Sequence, residues 1–340
     1  MKENENTNNI QTIGLEEHYA TPLFMEGPGR QLKAQAELAK DHPEVAGAYA
    51  LLVEQLMDLD NGRIAEMDKA DIDMQALSLT SPGVEQLGKS DAISLAKDAN
   101  NILGEAVLKH PSRFIGFATL ATIAPETAAD ELERTVKEYN FKGGIINGHI
   151  GGRYLDDDYF WPILERAEAL NVPIYLHPTP PPESVVKTSY AGNYPPEIAG
   201  LLASAAWGWH IETAIHILRI ILSGAFDQFP KLQFIIGHMG ETLPFMLPRL
   251  DRGLPKELTK LERSVGDYLT QNINYTFSGF NYTQNFLDLF LQVGVERIMF
   301  SADYPYSSMA EAKHFLDNLP VSAKDKKSIA HGNAERLLKL

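Results

Sequence analysis

The sequence predicts an α/β fold, a (β/α)8 TIM barrel with inserted βα loops, and three observations carry that expectation. Eight short β-rich runs alternate with longer stretches whose apolar residues recur at helical spacing, the pattern of repeated βα units that close a parallel sheet. The 340 residues suit one barrel with insertions. Ligand-type residues end runs spread along the whole chain, and no Gly-rich phosphate loop follows the first run, which disfavours a doubly wound open sheet.

Residues 1–9 form a polar tail expected to be disordered, and residues 10–340 are expected to form a single domain. The eight runs are Thr12 to His18, Met74 to Thr80, Phe114 to Leu120, Gly144 to Asn147, Val172 to His177, Leu232 to His238, Ile273 to Phe277 and Arg297 to Asp303. Helical patterns between them include Asp91 to Leu108, Pro125 to Tyr139, Tyr159 to Leu170 and Trp209 to Ser223. Two connections are too long for turns, and in a barrel the βα loops build the site. The first runs from Tyr19 to about Ala46, before a helical stretch reaching Met67 and Asp68. The second follows His177 and carries Pro178 to Pro182, Tyr190, Tyr194-Pro195-Pro196 and Trp207-Gly208-Trp209. Its prolines and aromatics suit a pocket wall or lid and suit oligomer contacts equally well; a homo-oligomer, a dimer or tetramer, is expected. The tail from Ile329 reads as a closing helix capped by Asn333.

A formal net charge of -15 argues against nucleic acid and anionic membrane as partners, since both are held through Lys and Arg. An anionic small molecule would need positive potential supplied locally, by a metal ion or a buried Arg. With no cysteine, disulfides, thiolate metal sites and thiol nucleophiles are excluded, so any metal must use nitrogen and oxygen ligands. The polar start lacks an apolar segment of signal-peptide or anchor length, and a cytoplasmic location is the expectation.

Leu15-Glu16-Glu17-His18 ends the first run, and residues two apart on a strand share a face, so Glu16 and His18 can offer one oxygen and one nitrogen to a single divalent ion. Alone, Glu-x-His is common and reads equally as a solvated strand end. Three later runs also end on ligand-type residues, at His177, His238 and Asp303. Taken singly, His18 and His177 read as core histidines and Asp303 as the cap of a helix starting near Ser308. Taken together, Glu16, His18, His177 and Asp303 on one barrel rim suit a mononuclear site of the Zn2+ or Mn2+ kind, with no organic cofactor. Gly237-His238-Met239-Gly240-Glu241 ends the sixth run; Glu241, on the first turn of the next helix, could orient His238 and raise its basicity. Arg249 lies on that helix, able to fork onto a carboxylate or to pair with Asp251 at the surface.

These motifs, with Leu176-His177-Pro178, Phe300-Ser301-Ala302-Asp303-Tyr304-Pro305 and Gly332-Asn333-Ala334-Glu335-Arg336-Leu337, resemble the amidohydrolase superfamily over Ile13 to Leu340. More narrowly the chain is similar to its non-oxidative decarboxylase branch, which includes γ-resorcylate and 2,3-dihydroxybenzoate decarboxylases. Within that branch the benzoate-type members have Glu-x-His first, as here, where hydrolytic members usually have His-x-His. The resemblance implies an amidohydrolase-like barrel with Glu16, His18, His177 and Asp303 as metal ligands and His238 with Glu241 as a catalytic pair. It also implies Arg249 near the substrate, and Tyr306 where those enzymes often have Phe against the ring. No lysine ends the fourth run, where Ile145-Ile146-Asn147 stands, which disfavours a binuclear hydrolase.

The function expected is metal-dependent decarboxylation of an ortho-hydroxylated benzoate, a small aromatic carboxylate of the 2,6- or 2,3-dihydroxybenzoate type, with Asp303 protonating the carbon that loses CO2. The alternative is a metal-dependent hydrolase of a lactone or amide, in which the same site activates water and Asp303 takes its proton.

Overall fold

In the computed structural model, which describes residues 11–32, 34 and 43–340, eight parallel strands follow one another around a barrel in sequence order. They are β1 (Ile13–Tyr19), β2 (Met74–Leu79), β3 (Phe114–Thr119), β4 (Gly143–Asn147), β5 (Ile174–His177), β6 (Phe234–Ile236), β7 (Ile273–Thr276) and β8 (Ile298–Met299). The polar tail expected at residues 1–9 lies outside the described residues. Among the described residues, no helix is long and apolar enough to cross a membrane.

All eight expected strands form, but the last is shorter than its apolar run. Arg297 belongs to a 3-10 turn, Val295–Arg297, and only two residues pair with β7. From Phe300 the chain turns to β1 instead: Leu15 N–H donates to Phe300 O at 3.2 Å, Asp303 N–H to Glu16 O at 2.9 Å and His18 N–H to Tyr304 O at 2.7 Å. The seam that closes the barrel is therefore built from the segment that carries Asp303.

The barrel is filled by inward side chains such as Leu15, Ile115, Phe117, Ile145, Tyr175 and Ile235, joined by Ala334 and Leu338 of the last helix, Asn333–Leu338. A second, larger cluster packs the surrounding helices onto the outer faces of the strands. The expected cap at Asn333 is a different device. Its side-chain amide donates to Val295 O and Ile298 O, both at 2.8 Å, and fastens the helix to the start of β8. Asn333 is already the first helical residue, and so cannot occupy the preceding cap position.

Strand β1 carries a bulge. Gly14 aligns with Gln75 and Glu17 with Leu77, so Leu15 and Glu16 together face Ala76. Leu15 joins the barrel interior, and Glu16 reaches the hydroxyl of Tyr175, another interior residue. Glu17 is left on the outer face with Gln75.

Both long connections contain helices among the described residues. The first holds Pro22–Glu26, Pro43–Met57 and Asn61–Lys69, and the helical stretch expected to reach Met67 and Asp68 is two helices. They separate where the Asp58 carboxylate accepts the Asp60 N–H at 2.8 Å, a side-chain turn that competes with helix. In the second connection, Pro196–Ala203 is helical, and Gly208–Leu222 replaces the expected Trp209 to Ser223.

Candidate active site

Glu16, His18, His177 and Asp303 meet at the carboxyl end of the barrel. His177 Nε2 lies 3.4 Å from Glu16 Oε1, and His18 Nε2 lies 3.2 Å from Asp303 Oδ1 without the alignment of a hydrogen bond. The donor atoms of Glu16, His18 and His177 all fall within 4.8 Å of one another, and all three residues are buried. Asp303 is brought in by the seam, held at φ +67°, a left-handed conformation that a non-glycine residue adopts only when its surroundings impose it.

The Glu16 carboxylate is divided between two tasks. Its Oε2 accepts from the hydroxyls of Tyr175 and Ser278. Its Oε1 is buried with no hydrogen-bond partner, as is His18 Nε2. Gly237 permits this placement, since a Cβ there would stand 2.3 Å from Glu16 Oε2. His177 donates Nδ1–H to its neighbour Pro178 O at 2.9 Å, which fixes the tautomer with the Nε2 lone pair toward Glu16. Unpaired buried oxygen and nitrogen atoms facing one space are costly unless something binds there, and a donor set of imidazole and carboxylate fits a divalent ion of the Mn2+ or Zn2+ type.

Beside this group stands a second one. His238 Nδ1 donates to Glu241 Oε1 at 2.7 Å, as the sequence suggests, but Glu241 precedes the helix Leu243–Gly253. Four non-glycine residues, His238, Met239, Glu241 and Thr242, adopt positive φ around Gly240, and this coil turns His238 and Glu241 face to face. The other Glu241 oxygen meets His210 Nδ1 at 2.5 Å, and His210 Nε2 is 3.0 Å from Ala205 O. His210 is the residue the sequence reading lacked; its only sign was its place directly after Trp207-Gly208-Trp209.

Burial raises the Glu16 carboxyl, but the His238, His177 and His18 imidazoles outweigh it and hold Glu16 well below the usual carboxylate range. Burial likewise works against charge on His238, and there Glu241 and Glu16 prevail and raise it well above an ordinary histidine. Glu241, despite its burial, is lowered by His238 and His210. For His177 burial dominates and its pKa falls, which suits a neutral ligand.

Both groups open into a cavity of about 550 Å³ whose wall includes Pro180, Trp209, Phe280 and Tyr306. The second connection thus does contribute wall, although Trp207 at its end is half exposed. Tyr306 sits where a ring-packing residue is expected, its ring centroid 5.6 Å from that of His18. Its hydroxyl shares a 2.6 Å hydrogen bond with buried Thr80, and burial pushes the phenol up to about 12. Arg249 is not brought to this cavity. It is exposed on Leu243–Gly253, one turn after the exposed Phe245, and is not among the residues that line this chain's cavity. Asp251, its suggested surface partner, accepts the Gly266 N–H instead at 2.7 Å. The helix after Asp303, Met309–Asp317, is capped by Ser308, so the Asp303 carboxylate is not used as a cap.

Residues 35–340 match the amidohydrolase family profile. The chain belongs to the amidohydrolase family. This amidohydrolase is 38% identical over 342 residues to γ-resorcylate decarboxylase of Polaromonas sp. strain JS666, with 96% of this chain and 98% of that protein covered. Among solved structures it resembles the dihydroxybenzoic acid decarboxylase of Polaromonas sp. JS666 with bound manganese and the inhibitor 2-nitroresorcinol, at TM-score 0.86 and 36% identity over 97% of each chain. It also resembles a 2,6-dihydroxybenzoate decarboxylase complexed with 2,6-dihydroxybenzoate, at TM-score 0.85 and 33% identity over 97% of this chain and 99% of that one. In this amidohydrolase β4 ends on Asn147, with no lysine at that position.

Proposed function

We infer that this amidohydrolase is a metal-dependent, non-oxidative decarboxylase of ortho-hydroxylated benzoates, with 2,6-dihydroxybenzoate the first candidate and 2,3-dihydroxybenzoate the second. The observation that carries the reading is the pair of buried, unpartnered atoms, Glu16 Oε1 and His18 Nε2, beside Asp303 at the end of a cavity sized for one substituted ring. The named relatives, which are decarboxylases of this substrate class with manganese in one of them, support it and favour Mn2+ over Zn2+.

Glu16, His18, His177 and Asp303 would hold the ion, which when bound supplies positive charge to orient the substrate's carboxylate and ortho oxygen and to stabilise charge on them. None of the described lining residues is Lys or Arg, so the chain's own cationic contribution at the cavity falls to the histidines. Asp303 delivers its proton to the ring carbon that bears the carboxylate. The electron pair for that new C–H bond comes from the ring, activated by the ortho oxygen. Cleavage of the bond to CO2 then returns two electrons to the ring and restores aromaticity. His238, oriented by Glu241 and indirectly by His210, faces Glu16 at 3.7 Å and is placed to move a proton between the substrate hydroxyl and Asp303. Tyr306, its hydroxyl engaged by Thr80, offers the substrate its ring, as phenylalanine would.

A homo-oligomer is part of the same reading, supported by exposed apolar residues such as Phe245, Leu258 and Leu291. The test is CO2 release from a panel of hydroxybenzoates by Mn2+-loaded protein in heavy water. A decarboxylase places deuterium on the carbon that lost CO2, whereas a hydrolase places solvent oxygen in its product. Absence of CO2 release from every ortho-hydroxybenzoate would remove the reading.

A further inference from the structure

We propose that Glu17, between the two ligands of β1 but on the opposite face, is a positioning residue that sets Asp303 and His18 for the metal. The proposal rests on the metal-binding reading of Glu16, His18, His177 and Asp303. Glu17 is 1% exposed, and its two oxygens take the backbone N–H groups on either side of Asp303: Oε1 accepts from Ala302 at 2.8 Å and Oε2 from Tyr304 at 3.1 Å. A carboxyl group has two oxygens, one for each of two N–H donors, whereas an amide has only one. Asp303 itself stands at φ +67°, which does not persist unless the flanking peptides are held.

The grip extends to the other ligand. Gln75 Nε2 approaches Glu17 Oε2 at 3.4 Å, Arg63 Nη1 donates to Gln75 Oε1 at 3.3 Å, and Arg63 Nη2 donates to His18 O at 2.6 Å. Arg63 and Gln75 are buried as completely as Glu17. A continuous chain of polar side chains behind β1 thus holds the backbone at two ligands, His18 on β1 and Asp303 on the segment that closes the barrel. Gly14 belongs to the same arrangement, because a Cβ there would stand 2.4 Å from Glu17 Oε1. Outer partners of this kind govern how tightly a site holds its ion, typically by 10- to 100-fold, through geometry alone.

The test compares retention of Mn2+ by loaded enzyme against a competing chelator in wild type, Glu17→Gln and Gly14→Ala. In Glu17→Gln the amide NH2 faces a backbone donor, and Mn2+ affinity should fall roughly 10- to 100-fold, with kcat at saturating Mn2+ also lowered and KM changed less. Gly14→Ala keeps the Glu17 carboxyl group but displaces it, and a smaller loss of the same sign is expected. Leu164→Ala, a core cavity remote from the seam, separates positioning from general stability, because it should lower Tm while Mn2+ retention stays at the wild-type value. Folded Glu17→Gln protein with wild-type Mn2+ affinity overturns the proposal, as does a loss matched by Leu164→Ala at equal Tm. Should Glu17→Gln fail to fold, unchanged affinity in Gly14→Ala overturns it and weakened affinity supports it. Wild-type protein that takes up no Mn2+ removes the underlying metal reading together with this one.

Discussion

Two groups of histidine and carboxylate stand side by side at the barrel mouth, and each has donor atoms close enough together to hold an ion. In one, Glu16 Oε1 and His18 Nε2 are buried and left unpaired. In the other, both Glu241 oxygens are taken up, by His238 Nδ1 and His210 Nδ1. The same residue types therefore serve different ends. Unspent donor atoms mark a place for a cation, while a carboxylate saturated by two N–H groups orients its imidazoles and has little left for a metal. Residue type alone cannot separate these cases, and the hydrogen-bond ledger can.

The largest effect should come from Asp303→Asn, which breaks the chemistry and spares most of the first group. Asparagine keeps a coordinating oxygen and loses the proton, so kcat for 2,6-dihydroxybenzoate should fall by roughly two to four orders of magnitude while Mn2+ stays bound. Kinetics beside metal analysis checks this; an unchanged rate of ring deuteration would take the proton-donor role away from Asp303. Next, His177→Ala removes a ligand from the unpaired group and should weaken Mn2+ binding by more than about 100-fold, beyond what outer partners cost. Full metal content in that variant would make His177 a core histidine and erase the contrast. Glu241→Gln tests the paired group: Mn2+ content should hold while kcat drops about 10- to 100-fold, with the loss depending on pH because the carboxylate no longer holds His238 protonated. A loss of metal in Glu241→Gln would show that the second group also binds it.

The smallest effect concerns a histidine that belongs to neither group. Burial, with His149 and Arg219 nearby, holds His216 down at about 3, and its Nε2 accepts the Leu155 N–H at 2.9 Å. Its folded value lies below the unfolded one, so the unfolded chain takes up the extra proton first. The stability His216 contributes is complete above its ordinary pKa of 6.5 and is lost as pH falls from there toward 3. Between about pH 6.5 and pH 5.5 this amounts to about 1 kcal/mol, and His216→Gln should remove that part of the slope in denaturant titrations at the two pH values. An identical slope in wild type and variant would mean that His216 is charged in the folded protein.

The strand periodicity of the sequence and its recurring chain of ligand-type residues determined the barrel and placed Glu16, His18, His177, His238 and Asp303 at strand ends, because each depends on local alternation or on where an apolar run stops. What escaped that reading depends on side chains meeting across the fold. Alternation from Leu15 would put Glu17, and not Glu16, inside the barrel; the bulge opposite Ala76 decides otherwise, and a bulge is a property of two paired strands. Apolar periodicity extends β8 to Asp303, but the chain leaves β7 at Phe300 because β1 offers the free edge that closes the barrel. His210 lies on a helix after a long insert, so only packing could bring it to Glu241. Arg249 has the chemistry of a carboxylate binder at a plausible spacing, and the direction of one helix leaves it exposed on the single chain and off the lining of this chain's own cavity. Which atoms are left unpaired, the feature that marks the metal centre, is decided last of all, since every hydrogen bond in the neighbourhood must form before an orphan can be recognised.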